Sequence, residues 1–180
     1  GMRCHCPRCR ELSASDQALS VLHRMLRGLR RVNPRAKLCY LAYIDIIAPP
    51  TSVRPEEGIF LEYAPIDRDH HRPMSDTTCE KNNSQNRDIQ ALLDVFGKDG
   101  AKVLDYWLDN SLFSEWTKPP KAFTPDAPVI SADFDYYRAL GFSDFSCFAC
   151  YLGDDYVALH GEPDIKPFAD ALHRLQTEKS

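Results

Sequence analysis

Leu38-Cys39-Tyr40-Leu41-Ala42-Tyr43-Ile44 is an unbroken apolar run, closed by Ala48-Pro49-Pro50. It is too short for a helix and suits a strand buried on both faces. Ile59-Phe60-Leu61-Glu62-Tyr63, the run Val103 to Leu108, and the run Phe145 to Tyr151 read as three more strands of this kind. Helical periodicities lie between them. Leu19, Leu22, Leu26 and Leu29 form one helix face, with Ser15 or Asp16 as N-cap and Asn33-Pro34 as the stop. Ile89, Leu92, Leu93 and Phe96 mark a second helix, stopped by Gly97 and Gly100. Phe134, Tyr137 and Leu140 suggest a short third, capped by Ser131 and ended by Gly141. Ile165, Phe168, Ala169, Leu172 and Leu175 form the last, with Pro167 tolerable in its first turn.

Strands and helices thus alternate, which predicts βα units in a parallel sheet and an α/β fold. The links are lopsided. Helix-to-strand connections are short, whereas Tyr63 to Ser84 and Asp109 to Ile130 each span roughly twenty residues, long enough to be functional. In α/β barrels the strand-to-helix loops build the active face. Four strands fall short of the roughly eight that close such a barrel. The chain is expected to be the carboxyl-terminal half of a TIM-barrel-like fold or, as the alternative, an open flavodoxin-like sheet. The latter is disfavoured because no Gly-rich phosphate loop is present.

The chain has 180 residues, which suits one domain: a Cys-rich loop over 1–14 and a single α/β domain over 15–180. Lys and Arg number 22 against 26 Asp and Glu, a net charge of -4, which argues against a general nucleic-acid partner. No apolar run approaches the roughly 18 residues of a membrane span. No signal-peptide core is visible, so the localisation stays open.

Several groups point to chemistry. Cys4-His5-Cys6-Pro7-Arg8-Cys9 is the densest. Cysteines two and three residues apart can face one metal ion, and zinc is the natural candidate. A fourth ligand would come from His5, Cys79, or Cys147 and Cys150; the competing expectation is that the thiols simply bury as apolar groups. For Cys147 and Cys150 core packing is expected, since a strand puts them on opposite faces. The carboxylates Glu62 and Asp105, with Asp45 and Asp109, fall at or near strand ends, where glycosidase acid/base pairs are found. Tyr63, Tyr106 and Trp107 surround the best two of them, and such aromatic faces stack on sugar rings. The opposing expectation is plain aromatic packing. Asp67-Arg68-Asp69-His70-His71 offers a His pair for a substrate hydroxyl or a metal, or else a solvated loop.

Taken in order, several segments resemble a known family. They are Cys4-x-Cys6-x-x-Cys9 before an amphipathic helix, Asn33-Pro34, Leu41-Ala42-Tyr43 with Pro49-Pro50, and Cys79 ahead of Asn83 and Asn86. Asp105-Tyr106-Trp107 and the stretch Ser131 to Gly141 complete the set. The chain resembles the carboxyl half of the bacterial domain of unknown function numbered four-eight-three-eight. That family is similar to (β/α)-barrel glycoside hydrolases and often sits in larger exported carbohydrate-active proteins. The resemblance implies a glycan as substrate or ligand, with Glu62 and Asp105 flanking a glycosidic bond, one protonated and one charged. Tyr43, Asp45, Tyr63, His70, His71, Trp107, Asp109 and Trp116 would contact the sugar. Cys4, Cys6 and Cys9 would hold a metal. A non-catalytic carbohydrate-binding or interaction module with a small metal site is the alternative. The apolar outer strands further predict a homo-oligomer, or pairing with an amino-terminal barrel half.

Overall fold

The computed structural model describes residues 3–177. Its elements alternate as predicted: α1 (Ala14–Leu29), β1 (Leu38–Ala42), β2 (Ile59–Tyr63), α2 (Glu80–Asn86), α3 (Ile89–Phe96), β3 (Lys102–Asp105), α4 (Asn110–Phe113), α5 (Ala127–Leu140), β4 (Asp144–Cys147), α6 (Asp154–His160) and α7 (Lys166–Thr177). The four strands form one sheet in the order β1-β2-β3-β4. Every neighbouring pair is parallel, in registers such as Tyr40 beside Leu61, Tyr63 beside Val103 and Asp105 beside Cys147. The fold is therefore α/β, built of parallel βα units. A flavodoxin-like sheet reverses its strand order at a switch point, and this order runs through without one. No described helix is long and apolar enough to cross a membrane.

The strands are not buried on both faces, which corrects the expectation drawn from their apolar runs. Tyr40, Ala42, Ile59, Leu61, Tyr63 and Val103 point to one side, where they share a single core with Leu19 and Leu26 of α1, Leu92 and Leu93 of α3, and Ile130, Phe134 and Tyr137 of α5. Their alternating neighbours Cys39, Leu41, Phe60, Glu62, Lys102 and Leu104 are only half-buried. A continuous apolar run satisfies either burial pattern; the placement of these helices on one face decided between them. Burying Leu19 and Leu26 completely stabilises the fold by about 2 kcal/mol each.

The ends of the elements also moved from their expected places. Ser13, not Ser15 or Asp16, caps α1: its Oγ accepts the Asp16 amide at 3.0 Å. Ser15 and Asp16 are instead buried, with Ser15 Oγ donating to the Ala48 carbonyl. Asp126, not Ser131, caps α5, which begins one turn earlier than its apolar residues suggested. Gly141 ends that helix at φ 109°, where a Cβ would meet Lys98 Cδ at 2.6 Å. β1 stops at Ala42 because Ile44 takes φ 46° and opens a 3₁₀ turn, Ile44–Ile46. β3 and β4 stop at Asp105 and Cys147, short of the predicted Leu108 and Tyr151. The two long loops contain the short helices α2 and α4, which carry too few apolar residues to show a period.

Candidate functional site

β3 ends in Asp105, which is wholly buried. The loop after β2 folds back over it and brings Arg68, also wholly buried, within 2.8 Å of Asp105 Oδ2. The same guanidinium lies 2.7 Å from Asp133 Oδ2 of α5, and its second Nη donates to the Arg72 carbonyl at 2.8 Å. Tyr137 Oη donates to Asp105 Oδ2, and the Tyr106 amide to Oδ1. Asp133 accepts from Trp107 Nε1 at 2.8 Å and from the Met74 amide at 2.6 Å. One cation thus bridges two carboxylates in a fully buried site. Burial opposes the charge on Arg68, but Asp105 and Asp133 outweigh it and raise its pKa. Burial wins at Asp133, whose pKa is raised despite the attraction of Arg68.

His70 sits beside this cluster. Its Nε2 is 3.1 Å from the Ile66 carbonyl, so that nitrogen carries the proton in a neutral ring. Its buried Nδ1 has no hydrogen-bond partner and lies 3.9 Å from Asp105 Oδ1. Burial lowers the His70 pKa, against the pull of Asp105. Together His70, His71, Trp107, Phe113, Phe123, Thr124 and Asp126 line a cleft of about 270 Å³ with Val129 and Ile130. It opens beyond the carboxyl end of β3, the end that carries function in parallel sheets. His71 presents its ring edge-on to Phe113 at 5.4 Å, and Phe113 packs on Phe123 at 4.9 Å.

The predicted site residues divide among several places. His70, His71 and Trp107 share this cleft. Tyr43 and Asp45 line a separate groove of about 430 Å³ with Cys4, Gln17, Val21 and Ile44, at the carboxyl end of β1. Tyr63 is buried in the core and donates to the Gln85 carbonyl. Asp109 is buried as the N-cap of α4, accepting from the Ser111 amide. Trp116 is exposed and outside the cleft. Glu62 and Asp105 are not brought together. Glu62 pairs in register with Lys102, and Asp105 lies three residues further along β3, so the pleat turns the two carboxylates to opposite faces. Glu62 neighbours Cys39, whose thiol is pushed up by burial and then by that carboxylate.

Arg68, Asp133 and Tyr137 were not singled out as site residues in the sequence. Asp133 carried a usable signal, being an acidic residue on the apolar face of α5 between Ile130, Phe134 and Tyr137. Arg68 carried none, since its Asp-rich surroundings look solvated.

Cys4, Cys6 and Cys9 do come together, their sulfurs within 4.8 Å of one another, in a group that could hold a metal ion. The Cys9 amide, the Cys4 thiol and the Arg8 amide all stabilise the Cys6 thiolate, lowering its pKa to about 7. Cys9, facing the Cys6 thiol, is raised to about 11. Cys79 is buried at the start of α2, outside this group. Cys147 packs on the core as expected, its sulfur accepting the Leu108 amide, whereas Cys150 lies past the strand end and is exposed.

No protein-family model matches this chain, and neither the curated proteins nor the solved structures contain a significant match.

Proposed function

We propose that this chain binds a glycan in the His70–Trp107–Phe123 cleft and does not itself cleave it. The cleft carries this reading: aromatic rings together with imidazole and carboxylate groups in one lining are the chemistry that holds a sugar ring. Hydrolysis needs two carboxylates flanking one bond. Asp105 has no access to solvent and its oxygens are committed to Arg68, Tyr137 and Tyr106, while Glu62 faces the other side of the sheet. The resemblance to a glycosidase-like barrel family points to the same ligand class. In this reading the Cys4-Cys6-Cys9 turn carries zinc. The half-exposed sheet face and the outer strands β1 and β4, which pair on one side only among the described residues, support a partner there, a second copy or an amino-terminal barrel half.

The test is a titration of the purified chain with oligosaccharides containing uronic acids and N-acetylhexosamines, with release of reducing ends followed in parallel. Binding should weaken about tenfold in Phe123→Ala and His71→Ala, the loss of a contact worth about 1.4 kcal/mol. It should be unchanged in Glu62→Gln, with no turnover in any form. Turnover abolished by Glu62→Gln in a folded protein would overturn the non-catalytic assignment. Absence of binding to every glycan would overturn the ligand class.

A further inference from the structure

The cysteine turn is held in shape by the protein itself. The Cys9 and Arg10 amides both donate to the Cys6 carbonyl at 3.0 Å. Gln17 of α1 clamps both ends of the turn: its Oε1 accepts the Cys4 amide at 2.9 Å and its Nε2 donates to the Cys9 carbonyl at 2.8 Å. The three sulfurs therefore converge in a turn tied to α1 rather than in a free segment. Soft thiolate donors select zinc among the common divalent ions. Structural zinc is closed by four protein ligands, while a site with three keeps a position open. Among the described residues no fourth His, Cys, Asp or Glu joins this group.

A cavity of about 460 Å³ touches all three cysteines. Arg8 and Arg24 wall it, with Leu12 and Val21 supplying apolar surface. Zinc with three thiolates carries a single negative charge, and two guanidiniums beside it more than compensate. The cavity thus offers a soft metal position next to anion-binding groups.

We propose that zinc held by Cys4, Cys6 and Cys9 keeps its fourth position open toward this cavity and takes there a small thiol that bears a carboxylate. The proposal rests on the zinc assignment above. On binding, the thiol gives its proton to solvent, its sulfur donates a lone pair to zinc, and the water it displaces leaves; no electron is transferred. Arg8 and Arg24 face the carboxylate.

The experiment uses the whole chain loaded with Co²⁺ in place of zinc, titrated with mercaptoacetate and with the cationic thiol cysteamine. Cobalt–thiolate absorption should strengthen as either thiol binds, and mercaptoacetate should bind about tenfold tighter, as two exposed charge contacts allow. Arg24→Ala, on the outer face of α1, should erase most of that preference while the metal stays bound. A cobalt spectrum that neither thiol changes, or equal affinity for the two, would overturn the proposal while the metal site stands. Failure of the chain to take up either zinc or cobalt, measured by elemental analysis, would strike the zinc assignment itself.

Discussion

Replacing Arg68 by Leu tests whether the buried cluster is a structural keystone. The guanidinium, wholly buried, faces two equally buried carboxylates, Asp105 at 2.8 Å and Asp133 at 2.7 Å. Removing one partner of a buried ion pair costs about 3–5 kcal/mol, because the charge left behind stays desolvated. Here two charges would be left, which puts the cost at the upper end of that range, while the Arg72 carbonyl keeps its second donor, Asn82 Nδ2 at 3.0 Å. Leu refills part of the volume and recovers about 1 kcal/mol of apolar burial. The expected net loss is about 4 kcal/mol at neutral pH, a drop of roughly 8–16 °C in Tm for a chain of this size. Urea unfolding followed by tryptophan emission reports it, since Trp107 is buried against the same cluster. The pH dependence is equally diagnostic. Without the attraction of Arg68, burial raises the folded pKa of Asp133 still further above the unfolded value of about 3.9. Stability from such groups is complete below the unfolded pKa and is lost as pH rises through the folded one. The deficit of Arg68→Leu should thus be largest near pH 7 and shrink as the pH falls into the carboxylate range. A loss below about 1 kcal/mol, or one that does not change with pH, would refute the view that Arg68 compensates two buried charges.

Three other outcomes follow from the same geometry. Asp16 is buried and accepts the Ser52 and Val53 amides at 2.9 and 2.8 Å; burial opposes its charge, but these bonds and that from Ser13 lower its pKa to about 2. It should contribute about 2 kcal/mol above pH 4, lost as the pH falls from 3.8 toward 2, and Asp16→Ala should remove that part of the acid transition in pH-dependent unfolding. His70 should remain neutral where an unfolded histidine, at about 6.5, is half protonated; its imidazole NMR shifts should move only at lower pH, and the stability it gives should be lost on that acid side. The exposed stripe Val21, Met25 and Leu29 on α1 should bury itself between copies. Light scattering at micromolar concentration should therefore give the mass of two or more chains, and Met25→Lys should lower it; a wild-type monomer would reject this.

Local periodicity in the sequence was enough to establish the βα alternation, the parallel sheet and the asymmetry of its loops. Hydrophobic spacing reports directly which residues of a helix share a face, as Leu19 and Leu26 do. The cysteine turn was equally legible, because its three ligand positions are neighbours in the chain. Which face of the sheet the helices cover was not legible. Phe60 and Leu61 are both apolar, and only the side taken by α1, α3 and α5 buries one and leaves the other half-exposed. That choice also separated Glu62 from Asp105, since one residue of pleat reverses a side chain's direction. The cluster of Arg68, Asp105 and Asp133 belongs wholly to the tertiary structure. Its members come from a loop, a strand end and a helix 37 and 28 residues apart in sequence, and no local pattern couples them. Buried charges must find counter-charges wherever the chain brings them, and that pairing is settled only when the elements pack.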